Sequence, residues 1–127
     1  MTDSITGLIW QKCGLGRNND SSCSDDTGVA DITSWQSAID YCNNLNLGSI
    51  TNWRLPNRNE LQSIVDYTTD SPAIDTTAFP ATASTYYWSS TTKSSFTGTA
   101  WYVDFDEGKI YQGFKTSSYD VRCVSGP

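Results

Sequence analysis

Four cysteines constrain the fold of this chain more than any other feature: Cys13, Cys23, Cys42 and Cys123. They occur in a 127-residue sequence without histidine, and no two of them form a C-x-x-C pair, so a zinc site lacks its usual spacing. We expect disulfides. Three pairings are open, and the economical one joins Cys13 to Cys23 around a polar loop and Cys42 to Cys123 across most of the chain. Disulfides mark exported proteins, which predicts an extracellular or cell-surface protein.

Length and charge narrow the class further. The 127 residues fit a single domain, residues 1–127, that can bury roughly two thirds of its unfolded surface. The formal net charge is -6 and no basic run exists, so we expect no nucleic-acid partner. No stretch reaches the ~20 apolar residues of a membrane span, so we expect no membrane insertion. The start "MTDSITG" has no signal-peptide pattern, and we expect an excised domain of a larger exported protein.

Two helices are predicted. The first is predicted within residues 31–49, where apolar residues recur at helical spacing: Trp35, Ala38, Ile39, Cys42 and Leu45. Thr33 and Gln36 have the spacing of a capping box, and Gly48 is the expected stop. The second helix lies in "NWRLPNRNELQSIV". There Asn57 is the expected cap, Glu60 follows three residues later, and the apolar stripe consists of Leu61, Ile64 and Val65.

Aromatic and β-branched runs predict strands at 5–12, 86–90, 100–105, 109–114 and 120–125. Alternation in the third run puts Trp101, Val103 and Phe105 on a core face, and Tyr102 and Asp104 on a possible working face. Residues 67–85 are expected to be an ordered loop anchored by Ile74 and Phe79. The result is an α+β fold, with two helices packed on one side of a small, mainly antiparallel sheet, long ordered loops and disulfide stabilisation.

Six motifs occur in a fixed order: "TGLIWQ", "SWQSAIDYCNNL", "NWRLPNRNELQSIVD", "YYWSSTT", "AWYVDFDEGKI" and "DVRCV". From residue 6 to 124 this order resembles the bacterial domain family found at the C-terminal end of the Legionella collagen-like adhesin. The resemblance implies an extracellular or cell-surface module. It also implies a fold similar to that of C-type lectins and of the formylglycine-generating enzymes. It implies no fixed ligand.

The sequence departs from what these relatives use for function. The adhesin is associated with sulfated glycosaminoglycans, which need a basic surface, whereas this chain has eight scattered cations and is acidic. The Glu-Pro-Asn, Gln-Pro-Asp and Trp-Asn-Asp tripeptides of the lectin calcium site do not occur. Formylglycine-generating enzymes act through cysteines near the C-terminal end, and here only Cys123 lies in that half.

Catalysis is not expected. Arg54, Arg58 and Glu60 are an acid-base candidate, but a forked arginine contact and a helix cap account for Arg54 and Glu60. Without histidine or a free cysteine, no spacing marks a nucleophile and its base. We therefore expect a protein that is not an enzyme and needs no cofactor.

The candidate calcium ligands and the tryptophans that could stack on sugars both have simpler structural explanations. Asp20, Asp25 and Asp26, with Asn18 and Asn19, are hard oxygen donors that calcium accepts. They follow no EF-hand spacing, and we favour a solvated loop. The five tryptophans all lie in the motif blocks, and we expect them in or near the core: Trp10, Trp35, Trp53, Trp88 and Trp101.

The ligand site is expected on the 89–99 loop and the strands beside it, because aromatic rings flanked by polar groups stack on sugars or peptides. The candidate residues are Lys93, Phe96, Tyr102, Asp104 and Tyr111. The leading hypothesis is an adhesion or recognition module for a glycan or protein ligand. The alternative is a self-assembling tip domain, for example a trimerising one, of a larger surface protein. A formylglycine-generating type of enzyme is the third hypothesis.

Overall fold

The computed structural model describes residues 1–126, which form an α+β fold with two disulfides. In chain order the elements are β1 (Ile9–Trp10), β2 (Ile32–Thr33), α1 (Trp35–Asn43), α2 (Arg58–Gln62), β3 (Tyr86–Thr92), β4 (Thr99–Asp104), β5 (Lys109–Phe114), β6 (Tyr119–Asp120) and β7 (Val124–Ser125). No helix among residues 1–126 is long and apolar enough to cross a bilayer.

Two sheets organise the chain. The larger has five strands in the order β2-β6-β3-β4-β5, and the smaller pairs β1 with β7. All pairings are antiparallel except that of β3 with β6, where Tyr87 faces Asp120. The sheet is therefore mainly antiparallel, as expected, and β5 forms its long edge.

The helices lie on opposite faces of the five-stranded sheet, which corrects the expectation that both pack on one side. Tyr87 and Val103 are partners in the β3–β4 register and belong to a core cluster with Leu61 of α2. The next pair, Trp88 and Tyr102, belongs to a second cluster with Ala38 and Cys42 of α1. Successive side chains of a strand point to opposite faces, so this sheet is covered on both.

Helix α1 forms where the apolar spacing predicts it, but its predicted ends are wrong. Ser34 is the N-cap, and its side chain makes no capping hydrogen bond. Thr33 cannot serve as the cap because its main chain belongs to β2, and its carbonyl accepts a hydrogen bond from Trp88 Nε1 at 2.9 Å. The helix ends at Asn43, before Gly48, which lies instead in the turn between Leu47 and Ile50.

Helix α2 begins as predicted. The Asn57 side chain accepts a hydrogen bond from the Glu60 main-chain N–H at 2.8 Å, and the Glu60 carboxylate accepts one from the Asn57 N–H at 2.9 Å. Arg54 donates two hydrogen bonds to the same carboxylate, at 2.6 and 2.7 Å. These bonds hold the pKa of Glu60 below its usual value. Leu61 is fully buried and seats the helix on the sheet.

Both disulfides match the economical pairing. Cys13–Cys23 closes the polar loop, and Cys42–Cys123 links α1 to the segment between β6 and β7. The chain thus has no free cysteine.

The last predicted strand is divided in two. Residues 121–123 separate β6 from β7, because Arg122 turns into the interior, where its exposed fraction is 2%. Its guanidinium donates to the Gln11 carbonyl at 2.7 Å and the Thr82 hydroxyl at 3.0 Å, and it stacks 4.8 Å from the Phe79 ring. Desolvation lowers the pKa of Arg122.

Other sequence expectations are met in part. Ile74 and Phe79 anchor the 67–85 loop, as predicted. The first strand keeps only Ile9–Trp10, and Ile5 is exposed. Three tryptophans are buried, Trp10, Trp53 and Trp88, whereas Trp35 and Trp101 are half-buried.

Candidate functional site

A cleft of about 470 Å³ opens at the end of the five-stranded sheet, between the β3–β4 turn and β5. Lys93 and Phe96 come from the turn, Thr99 from the start of β4 and Tyr119 from β6. Gln112, Gly113 and Phe114 come from β5, and Ser117 from the segment between β5 and β6. We call this the aromatic cleft. Its lining contains aromatic rings, hydroxyls, one amide and one ammonium, and no carboxylate.

Short turn hydrogen bonds position Phe96. Its N–H donates to the Lys93 carbonyl at 3.1 Å, and its carbonyl accepts from the Thr99 N–H at 3.0 Å and the Thr99 hydroxyl at 2.8 Å. The ring lies edge-on to Phe114, with 6.2 Å between centroids. The two residues remain 56% and 61% exposed, so their rings offer apolar area to a ligand.

Gly113 lines the aromatic cleft, and its lack of a side chain leaves room for Tyr119. A Cβ at this position would lie 2.6 Å from the Tyr119 hydroxyl oxygen and 3.1 Å from an atom of the Tyr102 ring. Glycine within a strand often marks such a close approach. Without a side chain here, Tyr119 lies over β5 and lines the cleft.

Tyr102 does not belong to the exposed surface, which corrects the sequence interpretation. Its exposed fraction is 8%, because three other tyrosines surround it: Tyr86, Tyr111 and Tyr119, at centroid distances of 4.5, 5.9 and 4.8 Å. Burial, followed by the neighbouring Tyr119 and Tyr86, raises the pKa of Tyr102 to about 12. We call these four residues the tyrosine cluster; it lies on the α1 face of the sheet beside the aromatic cleft.

The structure brings only part of the predicted site together. Lys93 and Phe96 line the aromatic cleft. Tyr111 is exposed on β5 in the tyrosine cluster, and Asp104 is half-buried opposite Lys109 at the far end of the β4–β5 ladder. Sequence reasoning missed Gln112, Phe114, Ser117 and Tyr119. A phenylalanine at the end of the predicted strand 109–114, followed by a loop rich in hydroxyl residues, was the signal that could have found them.

Positive charge collects around the aromatic cleft although the chain is acidic. Residues 86–103 and 110–119 contain two lysines, Lys93 and Lys115, and neither aspartate nor glutamate. Lys93 lies 5.6 Å from the centre of the Trp101 ring, whose face Arg58 also contacts at 4.7 Å, and Lys115 lies 3.9 Å from the Trp35 ring. Within residues 1–126, neither Lys93 nor Lys115 forms an ion pair.

In the acidic loop, the side chains of Asp20 and Asn18 form hydrogen bonds within the loop itself. Asp20 accepts hydrogen bonds from the Ser24 N–H at 2.9 Å and from the Ser24 hydroxyl, and these lower the pKa of Asp20. Asn18 donates to the Ser24 hydroxyl and the Asp25 carbonyl. Across residues 1–126, no group of three or more acidic, cysteine or histidine side chains is arranged to hold a metal ion.

The chain matches a known protein family. A family model described as the Lcl C-terminal domain matches residues 1–125 of the 127-residue chain. A search of curated proteins returned no match.

Proposed function

The chain belongs to the Lcl C-terminal domain family, and from that premise we propose that it is a non-catalytic recognition or adhesion module. The family and the two disulfides fit a small extracellular domain of a larger protein. The proposed site is the aromatic cleft, and the proposed ligand is a glycan or a protein displayed on a surface. A C-type-lectin-like fold is part of this proposal, supported by two helices flanking an antiparallel sheet and by paired chain ends in β1 and β7.

One observation carries the proposal: two phenylalanine rings remain more than half exposed at one concave site. A single exposed ring needs no explanation, but neighbouring exposed rings in a concave site are a feature of ligand-binding surfaces. The neighbouring hydroxyls, amide and ammonium provide the few polar groups that orient a ligand in an apolar pocket.

The absence of catalysis is proposed on chemical grounds. All four cysteines are in disulfides, so a thiol-based mechanism of the formylglycine-generating type has no thiolate. The lining of the cleft has no carboxylate or thiol to act as base or nucleophile. Complete labelling of a thiol by a maleimide under native, oxidising conditions would overturn this part of the proposal.

Parallel glycan and protein arrays test the function. We expect a selective ligand that binds wild type and loses at least tenfold in affinity in the double variant Phe96→Ala/Phe114→Ala, since both stacking surfaces are gone. Tyr67→Ala is the matched control, because Tyr67 is an exposed aromatic outside the cleft. We also expect equal binding in EDTA and in calcium. A ligand whose affinity falls in the control and not in the double variant would refute the proposed site.

A further inference from the structure

The edge strand β5 leads to a more specific assignment of the ligand. We propose that β5 is a strand-addition site, at which an extended acidic segment of a partner protein pairs with the sheet and places a side chain in the aromatic cleft. This inference rests on the proposed function, because it names the ligand class of the same site.

The backbone of β5 has free hydrogen-bonding groups along its outer side. The Lys115 N–H donates to the Gly98 carbonyl at 3.0 Å, and residues 109–114 continue this ladder in register with β4. Residue pairs of an antiparallel ladder alternate between hydrogen-bonded and non-hydrogen-bonded. The main-chain N–H and C=O groups of Lys109, Tyr111 and Gly113 therefore point toward β4. The N–H groups of Ile110, Gln112 and Phe114 therefore point away from the sheet. The Phe114 carbonyl already accepts from Ser117, which leaves the carbonyls of Ile110 and Gln112 as acceptors.

β5 lacks the usual protection of an edge strand. Proteins block such edges with short strands, prolines, bulges or covering loops. The opposite edge, β2, has only two residues, whereas β5 has six, without proline and without a register shift. Its only charged residue is Lys109, at its first position. Four of its residues are exposed, including Tyr111 and Phe114.

Charge selects the partner. The chain carries a net charge of -6, which opposes an acidic partner everywhere except where positive charge is concentrated locally. At the C-terminal end of β5, however, Lys93 and Lys115 have no carboxylate partner among residues 1–126. A segment with aspartate or glutamate beside Phe114 would supply that partner, and electrostatic complementarity of this kind sets specificity.

The aromatic cleft adds a pocket for one side chain. In an added strand, alternate residues point to the same face of the sheet. A residue placed beside Gly113 meets no side chain on β5 there and lies next to the Tyr119 ring, while the next residue of the added strand lies on the opposite face, beside the phenylalanine pair. Main-chain pairing supplies affinity and such pockets supply sequence preference in known strand-addition complexes.

A labelled peptide tests the assignment. The probe is a fluorescein-labelled decapeptide that alternates valine with glutamate and has one central tyrosine, and its binding is followed by fluorescence anisotropy. We expect saturable binding that weakens at least tenfold when lysine replaces each glutamate. N-methylation of alternate peptide amides should abolish binding, because it removes the N–H donors on the side of the peptide that pairs with β5. In hydrogen-exchange measurements, the bound peptide should slow the exchange of the main-chain amides of Ile110, Gln112 and Phe114.

A matched pair of variants isolates the main-chain contact. Gln112→Pro removes one outward N–H, whereas Gln112→Ala keeps it. We expect loss of peptide binding in the proline variant and near-normal binding in the alanine variant. The N-methylated peptide gives the same information with the protein unchanged, so the test stands even where Gln112→Pro does not fold.

The outcomes separate the inference from the function. Absence of binding by the probe, or binding that N-methylation leaves intact, overturns the strand-addition site. A glycan ligand that depends on Phe96 and Phe114 but leaves β5 amide exchange unchanged retains the proposed function and overturns the inference. Slowed β5 exchange that rises with protein concentration alone identifies a second copy as the occupant and also overturns it.

Discussion

Asp120 is a buried residue whose ionisation is coupled to folding. Its exposed fraction is 6%, and its carboxyl accepts no hydrogen bond from residues 1–126. It lines a small cavity with Arg17, Asp31 and Arg122. Burial first, and then the negative charge of Asp31, raise the pKa of Asp120 to about 7. Below about pH 7 the neutral acid is therefore the main form in the folded protein.

We predict that this carboxyl makes the protein less stable as pH rises. Its folded pKa exceeds the unfolded value of 3.8, so the folded state binds the proton more tightly. The stabilisation is complete below pH ~4 and is lost as pH rises to ~7, at up to about 1.4 kcal/mol per pH unit. Asp120→Asn should flatten this part of a urea-unfolding profile between pH 4 and pH 8, and the exposed Asp70→Asn should not. Parallel profiles for wild type and Asp120→Asn would contradict the assignment.

Glu60 has the opposite pH dependence. Its pKa is lowered by the forked contact with Arg54, so its stabilisation is present at neutral pH and is lost as pH falls through that pKa. We predict that Glu60→Gln costs about 1 kcal/mol at pH 7, measured by urea unfolding, and that the cost shrinks in acid. Glu107→Gln is the control, because the Glu107–Lys109 pair is exposed. Equal costs in the two variants would show that the fork contributes nothing.

The elements show what local sequence determines. The limits of β5 were predicted to the residue, because an acidic turn containing glycine precedes it. The cap of α2 was predictable because Asn57 and Glu60 are three residues apart and bond each other. The division of the last predicted strand into β6 and β7 could not be predicted from local sequence. Arg122 enters the interior to reach Gln11 and Thr82, which are distant in sequence.

The error at Tyr102 shows the same limit at the candidate site. Alternation in β4 correctly separated Tyr102 from Val103, yet it cannot tell which faces of a sheet are covered. Here α1 and the tyrosine cluster bury one face and α2 buries the other. The cleft depends on Gly113 lying under Tyr119, a contact that no local pattern indicates.

Helix α2 should depend on a single buried side chain. The helix has five residues, too short to be stable alone, and Leu61 is its only buried residue. We predict that Leu61→Ala costs about 2–5 kcal/mol in the free energy of unfolding, through lost burial and the cavity left behind. Ser63→Ala, at an exposed position just after the helix, should cost far less. A Leu61→Ala cost below that of Ser63→Ala in urea unfolding would contradict this packing.

At the scale of the whole molecule, the long disulfide ties helix α1 to the C-terminal part of the fold. Cys42 and Cys123 are 81 residues apart, whereas Cys13 and Cys23 are 10 apart. By chain entropy, removing the long bridge should cost roughly 4 kcal/mol and removing the short one roughly 3 kcal/mol. We predict a larger drop in melting temperature for Cys42→Ala/Cys123→Ala than for Cys13→Ala/Cys23→Ala. The reverse order would show that native contacts, and not chain entropy, dominate.

The central claim is that a recognition module of the Lcl C-terminal domain family binds its ligand in the aromatic cleft. The most direct test is a titration of the isotope-labelled protein with the strongest ligand from the arrays, followed by amide chemical shifts in two-dimensional NMR. We predict that the shifts change at residues 93–99 and 112–119. Changes confined to the acidic loop at residues 18–26, with the cleft amides unmoved, would contradict the claim.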